Sequence, residues 1–408
     1  MHRRRVIGVL AAIVAVVPAA FSSPVDLSTA SRVAAAVAGT ERTVGGIGPH
    51  PSGGTPLFFV AELEPAGFVV VAADDRLPPV IGYAVDGIAP AAGDAAEAIR
   101  SLLAADLATR LAQVPRLPDE RLTERRAAWR RLLSGEEVRR SPASQVWPPP
   151  GSTPTGGWVT TQWSQGAPYN AKCPLDPVTG VRSVAGCPAV AMAQVVNRHR
   201  HHHWTALDDG DDYWHAYSGR TYWIDDDHLA HGFPSFPELS VSLDGLEQTW
   251  AAGGDATDDR VAALVFASGV ALRQVYTSSV SGTFGVGQAV DAFFRFGELD
   301  IELLDDTDPD LYLRLAEEMR RGRPAHLAVV NDAGTSGHNL VIDGYDGGDG
   351  RFHLNFGWGG AYDGWYLLPD EIPYGLTVID GVIVGIAFFL ARDGFETGTL
   401  DGWSSAAP

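Results

Sequence analysis

Read for its hydrophobic and polar positions, the chain starts with an apolar run, VIGVLAAIVAVVPAA, preceded by Arg3, Arg4 and Arg5. The run contains Pro18 and is shorter than the roughly 20 residues needed to span a bilayer. With Ala20 and Ser22 at small-residue spacing, it predicts a secretory signal peptide over 1–22 rather than an anchor. Beyond it, LFFVAELEPAGFVVVAADDRLPPVIGYAVDG alternates β-branched and aromatic runs with turn signals at 64–67 and 74–79, the pattern of a small antiparallel sheet. Ile99, Leu102, Leu103, Leu107 and Leu111 then recur at helical spacing, and a second, Arg-rich helix runs to about Leu133. Residues 23–133 therefore form one compact domain of mixed class.

The composition changes over 134–157, where Pro142, Pro148, Pro149, Pro150 and Pro154 lie among Ser and Gly, as in an extended, semi-rigid linker. Arg139 and Arg140 make a dibasic pair in it, suited to proteolytic nicking. From 158 to 391 the pattern is helical first and β-rich last. Helices are predicted over 188–199, 258–272, 287–294 and 309–321, the last capped by Asp308 and stopped by Gly322. The strands are AHLAVV, HNLVIDGYD, RFHLNFGW, GWYLL and VIVGIAFF. Segregated helices and strands predict an α+β fold rather than a doubly wound sheet. The tail 392–408 carries no chemistry.

One motif supplies a nucleophile. In AGCPAVAMAQVVNRHR, Pro188 suits a helix start, so Cys187 sits at a helix N-terminus, where free N–H groups and aligned peptide dipoles favour a thiolate. A second motif supplies its partner. His338 opens the strand GHNLVIDGYD, and Asn355 lies on the next one, FHLNFGWGG. Pairing Asp346 with Arg351 sets Asn355 opposite Ile342, on the same face as His338 but four residues away along the strand. A bulge would have to bring the two together. A neutral imidazole can take the thiol proton and return it to a leaving amine, and an amide on its other nitrogen would fix the tautomer.

These motifs, in this order, resemble the streptopain-type peptidases of the papain-like clan. FVVVAADDRLPPVIGYAVDG looks like the family's inhibitory propeptide, WSQGAPYNAKCP like the start of its mature enzyme, GCPAVAMAQ like its nucleophile helix, and GHNLVIDGYD with FHLNFGWGG like its histidine and asparagine strands. The resemblance implies a secreted zymogen of a cysteine endopeptidase, monomeric, needing no cofactor or metal, and acting on protein or peptide substrates. A helical lobe bearing the cysteine would face a β lobe bearing the histidine. It implies Cys187 as nucleophile, His338 as base and acid, Asn355 as the residue orienting it, and Gln165 as a side-chain donor to the oxyanion. Gly186, Gly337 and Trp358, beside these positions, are the expected substrate-binding residues, and SSVSGTFG (278–285) is a candidate groove wall. Phe356 stands where the family usually has tryptophan, with Trp358 two residues on as an alternative shield. The stretch 208–255, acidic and rich in Trp and Tyr, has no counterpart in the pattern.

Bulk properties narrow the competing classes. A formal charge of −20 and a pI near 4.9 oppose binding to nucleic acid or anionic lipid. The histidine run at 199–203 reads as a helix end rather than a metal site, and the Asp clusters at 208–212 and 225–227 lack the spaced pattern of a calcium loop. Cys173 and Cys187 could instead form a disulfide in an inactive, peptidase-like binding protein. A transglutaminase-like thiol acyltransferase is a third reading, which the asparagine orienter disfavours.

Overall fold

The computed structural model of the protein describes residues 24–39, 42–51, 53–84, most of 100–134, 145–200, 207–296 and 301–387. The expected signal peptide, the dibasic pair Arg139 and Arg140, residues 201–203 of the histidine run, and the tail 392–408 lie outside them. Among the described residues no helix is long and apolar enough to cross a membrane.

The N-terminal region opens with a helix, Leu27–Ala38, which the sequence reading missed. Asp26 caps it by accepting a hydrogen bond from the Thr29 amide at 2.7 Å, and Ala30, Val33 and Ala34 are its buried face. Four antiparallel strands follow: β1 (Thr43–His50), β2 (Phe58–Glu64), β3 (Phe68–Ala72) and β4 (Val80–Ala84). Described residues between 100 and 112 are helical, with Leu103 and Leu107 buried. The Arg-rich helix Asp119–Leu133 is pinned to the β3–β4 turn by Trp129, whose indole N–H donates to the Leu77 carbonyl at 2.9 Å.

This sheet does not stop at the end of the N-terminal region. Strand β4 pairs with β12 (Gly364–Tyr366), so that one sheet runs β1-β2-β3-β4-β12-β11-β10-β9-β13-β8, where β8 is Glu302–Leu304, β9 Ala325–Val330, β10 Gly337–Asp346, β11 Arg351–Asn355 and β13 Val378–Val384. One apolar core accordingly spans both parts, from Phe58 and Phe68 to Leu340, Leu354 and Tyr366. The β4–β12 seam is close. A Cβ on Gly364 would fall 2.4 Å from the Tyr83 carbonyl oxygen, and one on Gly82 would fall 2.4 Å from the Tyr366 ring.

A second core belongs to the helices. It joins Cys187–His199, Phe236–Ala251, Asp258–Ala271 and Gly287–Phe296, and receives Val341 and Ile383 from the sheet. The expected α+β, two-lobed arrangement is thus present. The helix predicted over 309–321 starts two residues later, at Leu311, and joins the β core. The helix Phe236–Ala251, entered through a Ser235/Glu238 capping box, and the hairpin β6 (Tyr213–Tyr217) with β7 (Arg220–Ile224) occupy the stretch that had no counterpart. Arg220 ties this hairpin to the lobe through buried Asp176, which also accepts from the amide and hydroxyl of Ser278.

The proline-rich stretch is not a free tether where it is described. Val146–Trp147 forms β5 on the end of β10, and the Trp158 and Val159 amides donate to the carbonyl and carboxylate of Asp343 at 2.7 and 2.9 Å.

Candidate active site

Cys187 is the first residue of the helix Cys187–His199, ahead of Pro188 and behind Gly186. Gly186 has φ +86°, and a Cβ there would meet the Gln274 side chain at 2.8 Å and the Ser281 carbonyl at 3.0 Å, so only glycine lets the chain enter the helix so close to the 278–285 loop. The structure assigns Gly186 this packing task. Gly337 begins β10, is exposed, and lies against Val329 and Val330 of β9.

The sulfur accepts a hydrogen bond from the Asn339 amide at 3.4 Å, which sets it at the head of β10 beside His338. Asn339 is itself held, through its side-chain oxygen, by His326 at 2.8 Å. Both cysteines are free thiols, Cys173 buried and Cys187 half-buried, so the disulfide of the binding-protein reading is not formed.

The orientation of His338 departs from expectation. Its Nε2 lies 2.9 Å from the Phe356 carbonyl oxygen, not from Asn355. A carbonyl only accepts, so Nε2 carries the hydrogen and Nδ1 of the neutral ring is the acceptor. The reason Asn355 does not reach the ring is a bulge. Asp346 pairs with Arg351 as expected, but the register shifts between Ile342 and Gly344, so Asn355 stands opposite Val341 rather than Ile342. The extra residue, Asp343, reverses the parity: three positions separate His338 from 341, and the two side chains leave opposite faces. Asn355 instead joins the lobes, accepting from Gln194 Nε2 and the Gly357 amide, each at 3.0 Å, and donating to the Thr161 carbonyl at 2.9 Å.

Aromatic shielding is present in altered form. Trp358 stacks on the imidazole with ring centroids 4.7 Å apart, and the buried Phe356 ring lies parallel to it at 6.2 Å. Trp358, expected to bind substrate, is thus placed against the histidine. Gln165 lies close to the cysteine in the fold, since its carbonyl accepts from the Ala185 amide at 2.8 Å. Its side-chain amide makes no hydrogen bond among the described residues, which leaves it available.

Burial disfavours the charged form of each member of the pair. Burial pushes the Cys187 thiol up, against the opposing pull of the Asn339 N–H, and burial pushes His338 down to about 4, against the Phe356 carbonyl. The lowered thiol value expected from the helix N-terminus is not found in the unprocessed chain, where desolvation exceeds the gain from nearby donors. Among the described residues no group of His, Cys, Asp or Glu is arranged to hold a metal ion.

Beside this site lies a buried cluster that the sequence reading did not single out. Asp343 Oδ1 is 2.6 Å from His353 Nδ1, both fully buried, and Asp363 lies close by with its Oδ1 accepting from the Phe356 amide at 2.8 Å. The DGW signal in GGAYDGWY could have drawn attention to Asp363, since a carboxylate entering an apolar strand needs a local partner.

Comparison with known proteins bears on both parts of the chain. Residues 28–106 match the Spi protease inhibitor family. The chain is 29% identical to the thiol protease/hemagglutinin PrtT of Porphyromonas gingivalis over 76% of its own length and 34% of that protein, so it spans about a third of that relative. It is 23% identical to streptopain of Streptococcus pyogenes, with 78% of this chain and 75% of streptopain aligned. A solved structure of a Prevotella intermedia prointerpain A fragment shares the fold, with a TM-score of 0.52 at 22% identity, covering 84% of this chain and 99% of the fragment. Residues 163–366, half of the sequence and the part holding Cys187, His338, Asn355 and Gln165, match the Peptidase C10 family, and the chain belongs to that family.

Proposed function

We propose that the protein is the secreted zymogen of a cysteine endopeptidase, with residues 23–133 as its inhibitory propeptide. The observation that carries this reading is the arrangement at the head of β10, where the Asn339 amide holds the Cys187 sulfur while the Phe356 carbonyl fixes His338, its neighbour in the strand, as the Nε2–H tautomer. Nδ1 is then the base that takes the thiol proton as sulfur attacks the scissile carbonyl carbon. A C–S bond forms, and the carbonyl π electrons move to oxygen. The same nitrogen returns the proton to the leaving amine as the C–N bond breaks, and water repeats the sequence to release the acid.

The oxyanion would be met by the Gln165 side chain and the Cys187 amide, donors of a kind each worth about 3 to 4 kcal/mol of transition-state stabilisation. Substrate would lie between the lobes, with the 278–285 loop as one wall. Support for that placement comes from Ser281, whose carbonyl abuts Gly186, and from the exposed Val280 and Phe284. We assign the protein to protein or peptide substrates and to action as a monomer, and we expect its acidity to keep it from nucleic acid and anionic membranes.

The test is alkylation of the activated protein by an epoxide that traps cysteine-peptidase thiolates, with peptide mapping and casein cleavage on the same sample. Label at Cys187, and no cleavage by Cys187→Ser or His338→Ala, is the expected result. Casein cleavage that survives Cys187→Ser would refute it.

A further inference from the structure

The histidine of this site is oriented by a backbone carbonyl, which raises the question of what holds that carbonyl. Phe356 sits in the turn that leaves β11, a segment with no regular ladder of its own. Two side chains clamp it. On one side Asn355 Oδ1 accepts from the Gly357 N–H, which belongs to the same peptide plane as the Phe356 carbonyl. On the other side Asp363 Oδ1 accepts from the N–H of Phe356 itself at 2.8 Å. The peptides before and after Phe356 are thus both fixed, and the carbonyl 2.9 Å from His338 Nε2 has no freedom to turn away.

Asp363 is well placed for this duty. It is 2% exposed and immediately precedes Gly364, where β12 joins both β11 and β4 of the N-terminal region, so its backbone is anchored in the sheet. Its Oδ2 is buried with no partner among the described residues, so the carboxyl stands in the core without a complete set of partners, at a cost that packing alone does not explain.

We infer that Asp363 is a positioning residue for His338, acting through the Phe356 backbone that carries the imidazole's acceptor. The inference rests on the endopeptidase reading above. Burial raises the Asp363 pKa to about 7, so asparagine, which keeps the Oδ1 acceptor, is a close substitute for its protonated form. Alanine removes the acceptor and lets the Phe356 carbonyl drift, and a displacement of about 1 Å in such a support can cost on the order of a hundredfold in rate.

The experiment uses the full chain, activated, with steady-state cleavage of a fluorogenic peptide and thermal unfolding of each variant. For Asp363→Ala we expect kcat to fall about tenfold or more with KM within about twofold, and for Asp363→Asn we expect kcat to return to within about threefold of wild type. A purely structural role would lower the unfolding temperature without this split or this rescue. If Asp363→Ala does not fold, Asp363→Leu, which keeps the branched shape without an acceptor, takes its place with the same expectation. Wild-type kcat in a folded Ala or Leu variant overturns the inference while leaving the endopeptidase reading intact. Absence of Cys187-dependent cleavage in the wild type overturns that reading instead.

Discussion

The placement of Cys187 at a helix start and of His338 at a strand start was legible in the sequence because each is announced by local grammar: a proline opening a helix just after a cysteine, and a histidine opening an alternating strand. Asn355 was legible as a residue but not as a contact. Its partner choice depends on one extra residue, Asp343, and a bulge leaves no mark in a hydrophobic pattern beyond a Gly that reads equally well as strand. The bias of the pair against charge was illegible for a related reason, since the helix N-terminus is local whereas desolvation is set by everything packed around the thiol. Its raised pKa leaves a smaller thiolate fraction at neutral pH than a free cysteine has. Epoxide labelling of the unprocessed chain should therefore climb about tenfold per pH unit between about pH 6 and 8. It should mark Cys187 and not Cys173, whose burial raises it to about 12. A flat rate over that range would mean that the thiolate is already formed.

At the scale of elements, strands β2, β3 and β4 and most helices of the catalytic half follow their patterns, because a strand or helix with one buried face records that face in its spacing. The missed elements had weaker spacing. Strand β1 carries three glycines and a proline, and the β6–β7 hairpin exposes Trp214 and Trp223 while burying Tyr213, His215 and Tyr222, so apolar residues occupy both faces. Least legible was the seam at which β4 meets β12, since neither strand carries a mark of the other. The glycines that allow it read as ordinary strand glycines. Gly82→Val places a side chain into the Tyr366 ring, and overpacking of this kind costs about 1 to 3 kcal/mol. The variant should loosen the N-terminal region and speed labelling of Cys187 in the unprocessed chain about tenfold; an unchanged rate would mean that the seam does not restrain the site.

For the molecule as a whole, composition pointed to a globular class and its acidity argued against nucleic acid, but it could not foresee one core shared by two matched families. Burial also sets the acid response. His199, His215, His326 and His338 are each pushed down to about 4 by desolvation. The unfolded chain takes up protons near pH 6.5 that these folded sites refuse, so their contribution is complete above about pH 6.5 and is lost as the pH falls towards 4. Asp363, raised to about 7 by burial, and His353, raised by Asp343 in spite of its burial, work in the opposite sense. Glu371, Asp212 and Asp225, also raised by burial, oppose the histidines too, but by smaller shifts, and the four large histidine shifts predict a net loss. The urea midpoint of the unprocessed chain should drop between pH 6.5 and 4, and a midpoint that stays level or rises would show that the histidines are protonated in the fold.

The seam has a further consequence once the chain is cut. Before cleavage, β4 and β12 are joined in register at a single pair, Tyr83 with Trp365, and the connecting chain keeps the two halves at an effective concentration that a short tether sets in the millimolar range. Cutting that tether adds no contact and removes none, yet it changes the inhibitor from a neighbour into a ligand. For the zymogen proposed above, its occupancy then follows mass action: a concentrated sample of nicked protein is more fully inhibited than the same sample after dilution.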